Sequence, residues 1–254
     1  MNFKYCNLIN RNSIFVNDSI QEKIKSEGIL FAGCGLGSAI STLAVRTGFT
    51  KIKLCDGDVV EIHNLNRQFF HDKNIGKNKT EELSNNLKSI NPNCDIEKFP
   101  FFIDVSTDIN TLFADYKYIV NTVDNHDVAF LINNEAIKRG RTILFPFIIG
   151  YGAYLLVFDN TTISLQDMVK NEDYNDLIFY KNLLESCTNL NMPGYIIKNQ
   201  EKIMNSIKQN KKLPQLGIAS FLTASLVVTT IVKLISKKEI RKAPNIITTD
   251  MLEL

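Results

Sequence analysis

Short apolar runs alternate along this chain with longer segments in which apolar residues recur every three or four positions. Gly28-Ile29-Leu30-Phe31-Ala32 is the first run. Its unbroken hydrophobicity fits a strand buried on both faces that feeds the glycines after it. Ser38 to Gly48 has helical spacing and stops on Gly48, a residue suited to a helix end. Lys51 to Asp56 alternates and ends on an acid, which predicts a second strand. Asn78 to Ile90 predicts a polar helix closed by the Asn91-Pro92 breaker. Asp95 to Ile103 and Tyr116 to Val123 read as further strands, the latter followed by Asp124. Asp127 to Arg139 reads as a helix ending at Gly140, and Thr142 to Ile149 and Ala153 to Phe158 as two more apolar strands.

Strand, glycine turn, helix and strand in repetition build a doubly wound sheet. The expected fold is α/β and Rossmann-like: a mostly parallel, doubly wound sheet with a C-terminal helix and strand. The rhythm breaks at Asp159. From about Lys170 to Leu213 the chain is polar, rich in Asn and Lys and without a clear period, which predicts a loop segment with helical pieces. Order returns with a helix over Leu216–Ile235 and a strand from Asn245 to Thr249, before Asp250. The chain thus reads as one domain over 1–254, with an N-terminal helical arm over 1–27 and a variable, substrate-facing insertion over 170–213. Leu216 to Val232 carries no charge, but Gly217, Ser220, Thr223, Ser225, Thr229 and Thr230 interrupt it. A spanning helix usually needs about 20 predominantly apolar residues, so a buried helix is expected here and no membrane contact.

The composition narrows the classes. A chain of 254 residues with 44% hydrophobic and 22% charged residues has ample core material and is not a disordered one. The formal net charge of +2 gives no reason to expect a nucleic-acid partner, although Lys198–Lys212 and Lys233–Lys242 are locally basic. The five cysteines include no C-x-x-C pair, which argues against a disulfide scaffold and a zinc site. The first residues lack a basic region followed by an apolar one, so a reduced, cytoplasmic setting is expected.

Candidate chemistry collects at the ends of the predicted strands. Ala32-Gly33-Cys34-Gly35-Leu36-Gly37-Ser38 lies between a strand and a helix, where glycines let the backbone approach a phosphate and the helix end offers N–H donors. Asp56 follows the second strand, about 20 residues on, where an acid in a nucleotide fold accepts from ribose hydroxyls. Loop and acid together point to a nucleotide without choosing NAD or ATP. Arg67, in Asn64-Leu65-Asn66-Arg67-Gln68, offers a fork for phosphate oxygens, and Lys79 a point charge. Asp124, at a strand end, can hold Mg²⁺ together with substrate phosphate. The set suggests Mg·ATP.

The run Gly33 to Ser38, then Asp56-Gly57-Asp58-Val59-Val60-Glu61, Asn64 to Gln68, Gly76 with Lys79, Asn91-Pro92, and Thr122-Val123-Asp124-Asn125 resembles the ThiF/MoeB/HesA family, bacterial relatives of ubiquitin-activating enzymes. That resemblance implies an ATP-dependent adenylyltransferase. It would activate the C-terminal carboxylate of a ubiquitin-like protein or a peptide as an acyl-adenylate, with release of pyrophosphate. By the same likeness Asp56 would bind ribose, Arg67 and Lys79 the triphosphate with Asn64 assisting, and Asp124 Mg²⁺. Gly33, Gly35, Gly37, Asp58, Gln68 and Asn125 would complete the nucleotide site. The likeness also implies a homodimer, with Arg11 reaching the partner's ATP site. Ala32 and Cys34 depart from the family's glycines, and the zinc-binding cysteine pairs of many members are absent. Cys187, in Glu185-Ser186-Cys187-Thr188, is the candidate thioester nucleophile. Two alternatives stand beside this reading: a tRNA-base carboxylate-activating dehydratase of the same family, and a non-catalytic partner or scaffold subunit.

Overall fold

The arm folds into α1 (Tyr5–Ile9) and α2 (Asp18–Ser26), the second capped by Asn17, whose side chain accepts from the Ile20 N–H. The computed structural model describes residues 3–170, 176–209 and 214–252. Past the arm the chain alternates as its apolar pattern dictates: β1 (Gly28–Ala32), α3 (Leu36–Thr47), β2 (Lys51–Cys55), α4 (Lys79–Ile90), β3 (Asp95–Phe99), α5 (Ile109–Phe113), β4 (Tyr118–Asn121), α6 (His126–Lys138), β5 (Thr142–Ile149) and β6 (Gly152–Phe158). There follow α7 (Leu165–Val169), α8 (Asp176–Ser186), α9 (Gly194–Lys198), α10 (Gln200–Lys208), α11 (Gly217–Ile235) and β7 (Ile247–Asp250).

The strands form one sheet in the order β3-β2-β1-β4-β5-β6-β7. The first five pair in parallel, and β6 and β7 add on antiparallel. This is the expected Rossmann-like, mostly parallel sheet with a C-terminal helix and strand. Strand order reverses between β1 and β4, and that reversal opens a crevice at the strands' C-terminal ends. Gly150 and Tyr151 join β5 to β6, with Gly150 at φ +59°.

Apolar side chains bury on both faces. One face carries α2, α3, α4 and α11 around Phe31, Ile40, Leu54, Leu87 and Val227. The other carries α5 to α8 around Phe113, Ile132, Phe145, Phe158 and Phe179. The α11 helix is long and apolar enough to cross a membrane, yet half of that stretch is buried inside the protein. It packs through Ala219, Thr223, Val227 and Ile231 as a core helix.

Two expectations change. β3 stops at Phe99 rather than Ile103, because Pro100 has no N–H for the ladder. The 170–213 segment, expected as a loop with helical pieces, is mostly helix where it is described. It folds into α8, α9 and α10, and Phe179, Leu183 and Ile196 bury in the sheet's second face. Residues 171–175 and 210–213 of that segment lie outside the described residues.

Candidate active site

The crevice is floored by the turn from β1 into α3. Gly33 sits at φ +95°, and a Cβ there would stand 2.7 Å from the Thr122 carbonyl oxygen, so only glycine fits. Thr122, just past β4, donates its hydroxyl to the carbonyls of Ala32 and Gly33 at 3.1 and 3.0 Å. Asp56, just past β2, holds the turn from the other side. Its Oδ2 accepts from the Cys34 N–H at 2.7 Å and its Oδ1 from the Asp58 N–H at 2.8 Å. Ala32 and Cys34 are both buried, so these small residues serve the turn in place of glycines. Burial, with the negative charge of Asp56, pushes the Cys34 thiol well above its ordinary value, and it packs as a neutral group.

Asn78 sets the next wall. Its Oδ1 caps α4 by accepting from the Thr80 and Glu81 N–H groups at 2.9 and 3.3 Å, and its amide donates to the Asp58 carbonyl at 3.3 Å. The cap places Lys79 in the first turn of α4. Lys79 is only 7% exposed, and its Nζ lies 2.8 Å from Oδ2 of the exposed Asp58. Through Asp58, whose N–H donates to the Asp56 carboxylate that holds Cys34, Lys79 is tied to the glycine turn.

The segment from Glu61 to Gln68 arches over the other side. Asn64 is buried and closes a capping box with Glu61, so its Oδ1 is spent on building the turn. Arg67 is gripped at two nitrogens. Nε donates to Gln215 Oε1 at 2.6 Å, and Nη1 donates to the His63 carbonyl and to Asn66 Oδ1, both at 2.8 Å. Burial lowers its pKa and the negative charge of Asp124 pulls it back up, so Arg67 and Asp124 lie within each other's field. The Gln68 amide nitrogen sits 3.2 Å from where a Gly35 Cβ would stand, and its Oε1 is buried with no hydrogen-bond partner among the described residues. Ser38 ties arch to floor by accepting from the Phe69 N–H at 2.9 Å and donating to the Gly35 carbonyl at 2.6 Å. Asp124 is exposed just past β4, and Asn125 caps α6 by accepting from the Val128 N–H at 3.1 Å.

Thus Gly33, Gly35, Gly37, Asp56, Asp58, Arg67, Gln68, Lys79, Asp124 and Asn125 fall around one crevice. Arg11 does not join them. It is exposed in a short turn whose next residue, Asn12, donates to the Thr47 carbonyl at 3.1 Å, at the far end of α3. The 12 residues of α3 span about 18 Å, so Arg11 is remote from its own chain's crevice. Cys187 packs partly buried against the α8-side core, away from these residues in sequence, and burial pushes its thiol up to about 11. Gln215 and Ser220 are additions. No local motif marks them, since each meets Arg67 only through the tertiary fold.

A model of the ThiF family matches residues 6–254. The chain is 31% identical over 153 residues to the sulfur carrier protein ThiS adenylyltransferase of Bacillus subtilis, covering 58% of this chain and 45% of that one. It is 27% identical over 147 residues to a probable molybdopterin-synthase adenylyltransferase of Gracilaria tenuistipitata var. liui, covering 57% and 41%. The chain spans about half the length, or less, of the curated relatives it matches. Among solved structures, PaaA superposes with a TM-score of 0.70 at 18% identity, over 100% of this chain and 82% of that one. E. coli MccB bound to MccA superposes with a TM-score of 0.68 at 20% identity, over 93% and 64%. At these identities the two structures share the fold.

Proposed function

The chain belongs to the ThiF family, and on that premise we propose that it adenylates a carboxylate. The C-terminal carboxylate of a ubiquitin-like protein or peptide attacks the α-phosphate of ATP. An acyl–phosphate bond forms, the α–β phosphoanhydride bond breaks, and pyrophosphate leaves. The observation that carries the reading is the buried Lys79, tied through Asp58 and Asp56 to the glycine turn, with Arg67 and Asp124 at the same crevice. A carboxylate is ionised at neutral pH, so no protein base is required. The barrier is repulsion between two anions, which the Lys79 ammonium and the Arg67 guanidinium offset. Asp56 suits the ribose hydroxyls, and the unpartnered Gln68 Oε1 suits a donor on the nucleotide.

Asp124 would hold Mg²⁺, an ion that binds through one or two carboxylates plus substrate phosphates. Bound there, it would neutralise phosphate charge. The names of relatives that act on sulfur carrier proteins, and of MccB bound to MccA, support a protein or peptide tail as substrate. A non-catalytic subunit would not need Asp56, Arg67, Lys79 and Asp124 together. A homodimer with Arg11 serving the partner's crevice is part of the same proposal. The distance of Arg11 from its own site supports it, as do Ile14 and Phe15, exposed at 94% and 91% in the same arm. Light scattering reads that state directly.

ATP–pyrophosphate exchange with Mg²⁺ tests the reaction. Stimulation by peptides or small proteins is expected. Stimulation by tRNA alone would transfer the reading to a base-modifying relative, and ATP binding without any exchange would favour the non-catalytic subunit.

A further inference from the structure

Gln215 stands where three parts of the crevice meet. Its side-chain Oε1 accepts from Arg67 Nε at 2.6 Å. Its backbone carbonyl accepts from Asn66 Nδ2 at 3.2 Å. Its backbone also bridges to Gly150 in the β5–β6 turn. The helix that follows is seated on the same loop. Ser220 donates to the Arg67 carbonyl at 2.8 Å, and a Cβ on Gly217 would come within 2.5 Å of the Asn66 carbonyl oxygen.

We propose that Gln215 is a positioning residue for Arg67, holding its guanidinium by a neutral acceptor so that its full charge stays available to the nucleotide's phosphates. This inference rests on the reading of Arg67 as a phosphate-binding group. Arginine carries a long side chain with much rotamer freedom to lose when it is held. An acceptor on Nε fixes the plane of the fork, while the His63 carbonyl and Asn66 fix Nη1. All three are uncharged oxygens. A carboxylate at the same place would also orient the fork, but it would neutralise the charge on which a phosphate depends. A glutamine is long enough to reach from the start of α11 and adds no charge of its own.

The test is a double-mutant cycle on Arg67→Ala and Gln215→Ala, read as the Kd for a non-hydrolysable ATP analogue and as KM and kcat in pyrophosphate exchange. Gln215→Ala is expected to weaken nucleotide binding roughly tenfold, the scale of one hydrogen bond to a charged group, with a smaller change in kcat. In the Arg67→Ala background the same change is expected to do nothing further. Gln215→Glu keeps the acceptor and the side-chain size, and covers the case in which the alanine variant folds poorly. It is expected to weaken nucleotide binding as well, again only when Arg67 is present. Additive effects, or unchanged affinity in both Gln215 variants, would overturn the inference while leaving Arg67 in its role. Unchanged affinity in Arg67→Ala would instead overturn the reading of the site.

Discussion

Two buried lysines on neighbouring elements show how this fold separates architecture from chemistry. Lys53, in the middle of β2, is 1% exposed. Its ammonium lies 2.9 Å from Glu97, donates to the carbonyls of Thr111 and Leu112 at 3.0 and 3.1 Å, and sits 4.6 Å from the Tyr116 ring centre. Every direction around it is filled. Lys79, at the start of α4, is nearly as buried, but its ammonium has its ion pair with Asp58, whose side chain is 51% exposed. A charge held by one solvated partner can exchange that partner for a phosphate. A charge held by those four groups together cannot. The lesson is that burial of a lysine does not mark a site; the replaceability of its partners does.

The largest way to break the comparison is Lys79→Ala. Pyrophosphate exchange is expected to fall at least a hundredfold, roughly the scale of losing one charge-stabilising group, with the melting temperature nearly unchanged. Retained exchange would place Lys79 with Lys53 as architecture. Lys53→Met comes next and should do the reverse. It strips the donor from two buried carbonyls and is expected to cost about 2 kcal/mol in urea unfolding, with KM for ATP unchanged in the folded protein.

The same variant sharpens the picture through pH. Burial alone would raise the Glu97 carboxyl, but hydrogen bonds from Lys53 and Tyr116 outweigh it and hold the group below its ordinary 4.5. A depressed acid adds stability that is full above its unfolded value and is lost as pH falls through the folded one. Wild-type protein should therefore lose this contribution on acidification below 4.5, and Lys53→Met should lose less over that range. Asp58→Asn is the smallest test. Its partner role is solvated and its charge is partly screened, so less than about a threefold change in KM for ATP is expected. A loss as large as that of Lys79→Ala would make Asp58 an active participant rather than a stand-in for phosphate.

β1, β4, β5 and β6 were legible because strands buried on both faces must be apolar, β2 because it alternates, and the helices between them carry their own stops at Gly48, Asn91 and Gly140. The floor and arch of the crevice were legible for a related reason. Gly33, Asp56, Arg67 and Lys79 belong to short segments whose residue types are dictated locally. What stayed hidden depends on distant partners. Arg67 and Gln215 are 148 residues apart in sequence and meet in one hydrogen bond. The extent of helices α8 to α10 was hidden because the segment around them is rich in Asn and Lys, and only the face that meets the sheet at Phe179, Leu183 and Ile196 is buried. The five-residue α5 carries too few residues to show a period, and its start rests on the Asp108 cap.

The seat of Gly217 against the Asn66 carbonyl bears on how parts can be traded between relatives of this chain. A transplant of the region after β6 invites a cut at the start of α11. A cut there would divide one interlocking joint between two parents, and any side chain at position 217 would push the arch, Arg67 with it, away from the helix. The donor fragment should therefore end before Pro214, so that Gln215, Gly217 and Ser220 are inherited together with the loop they fit.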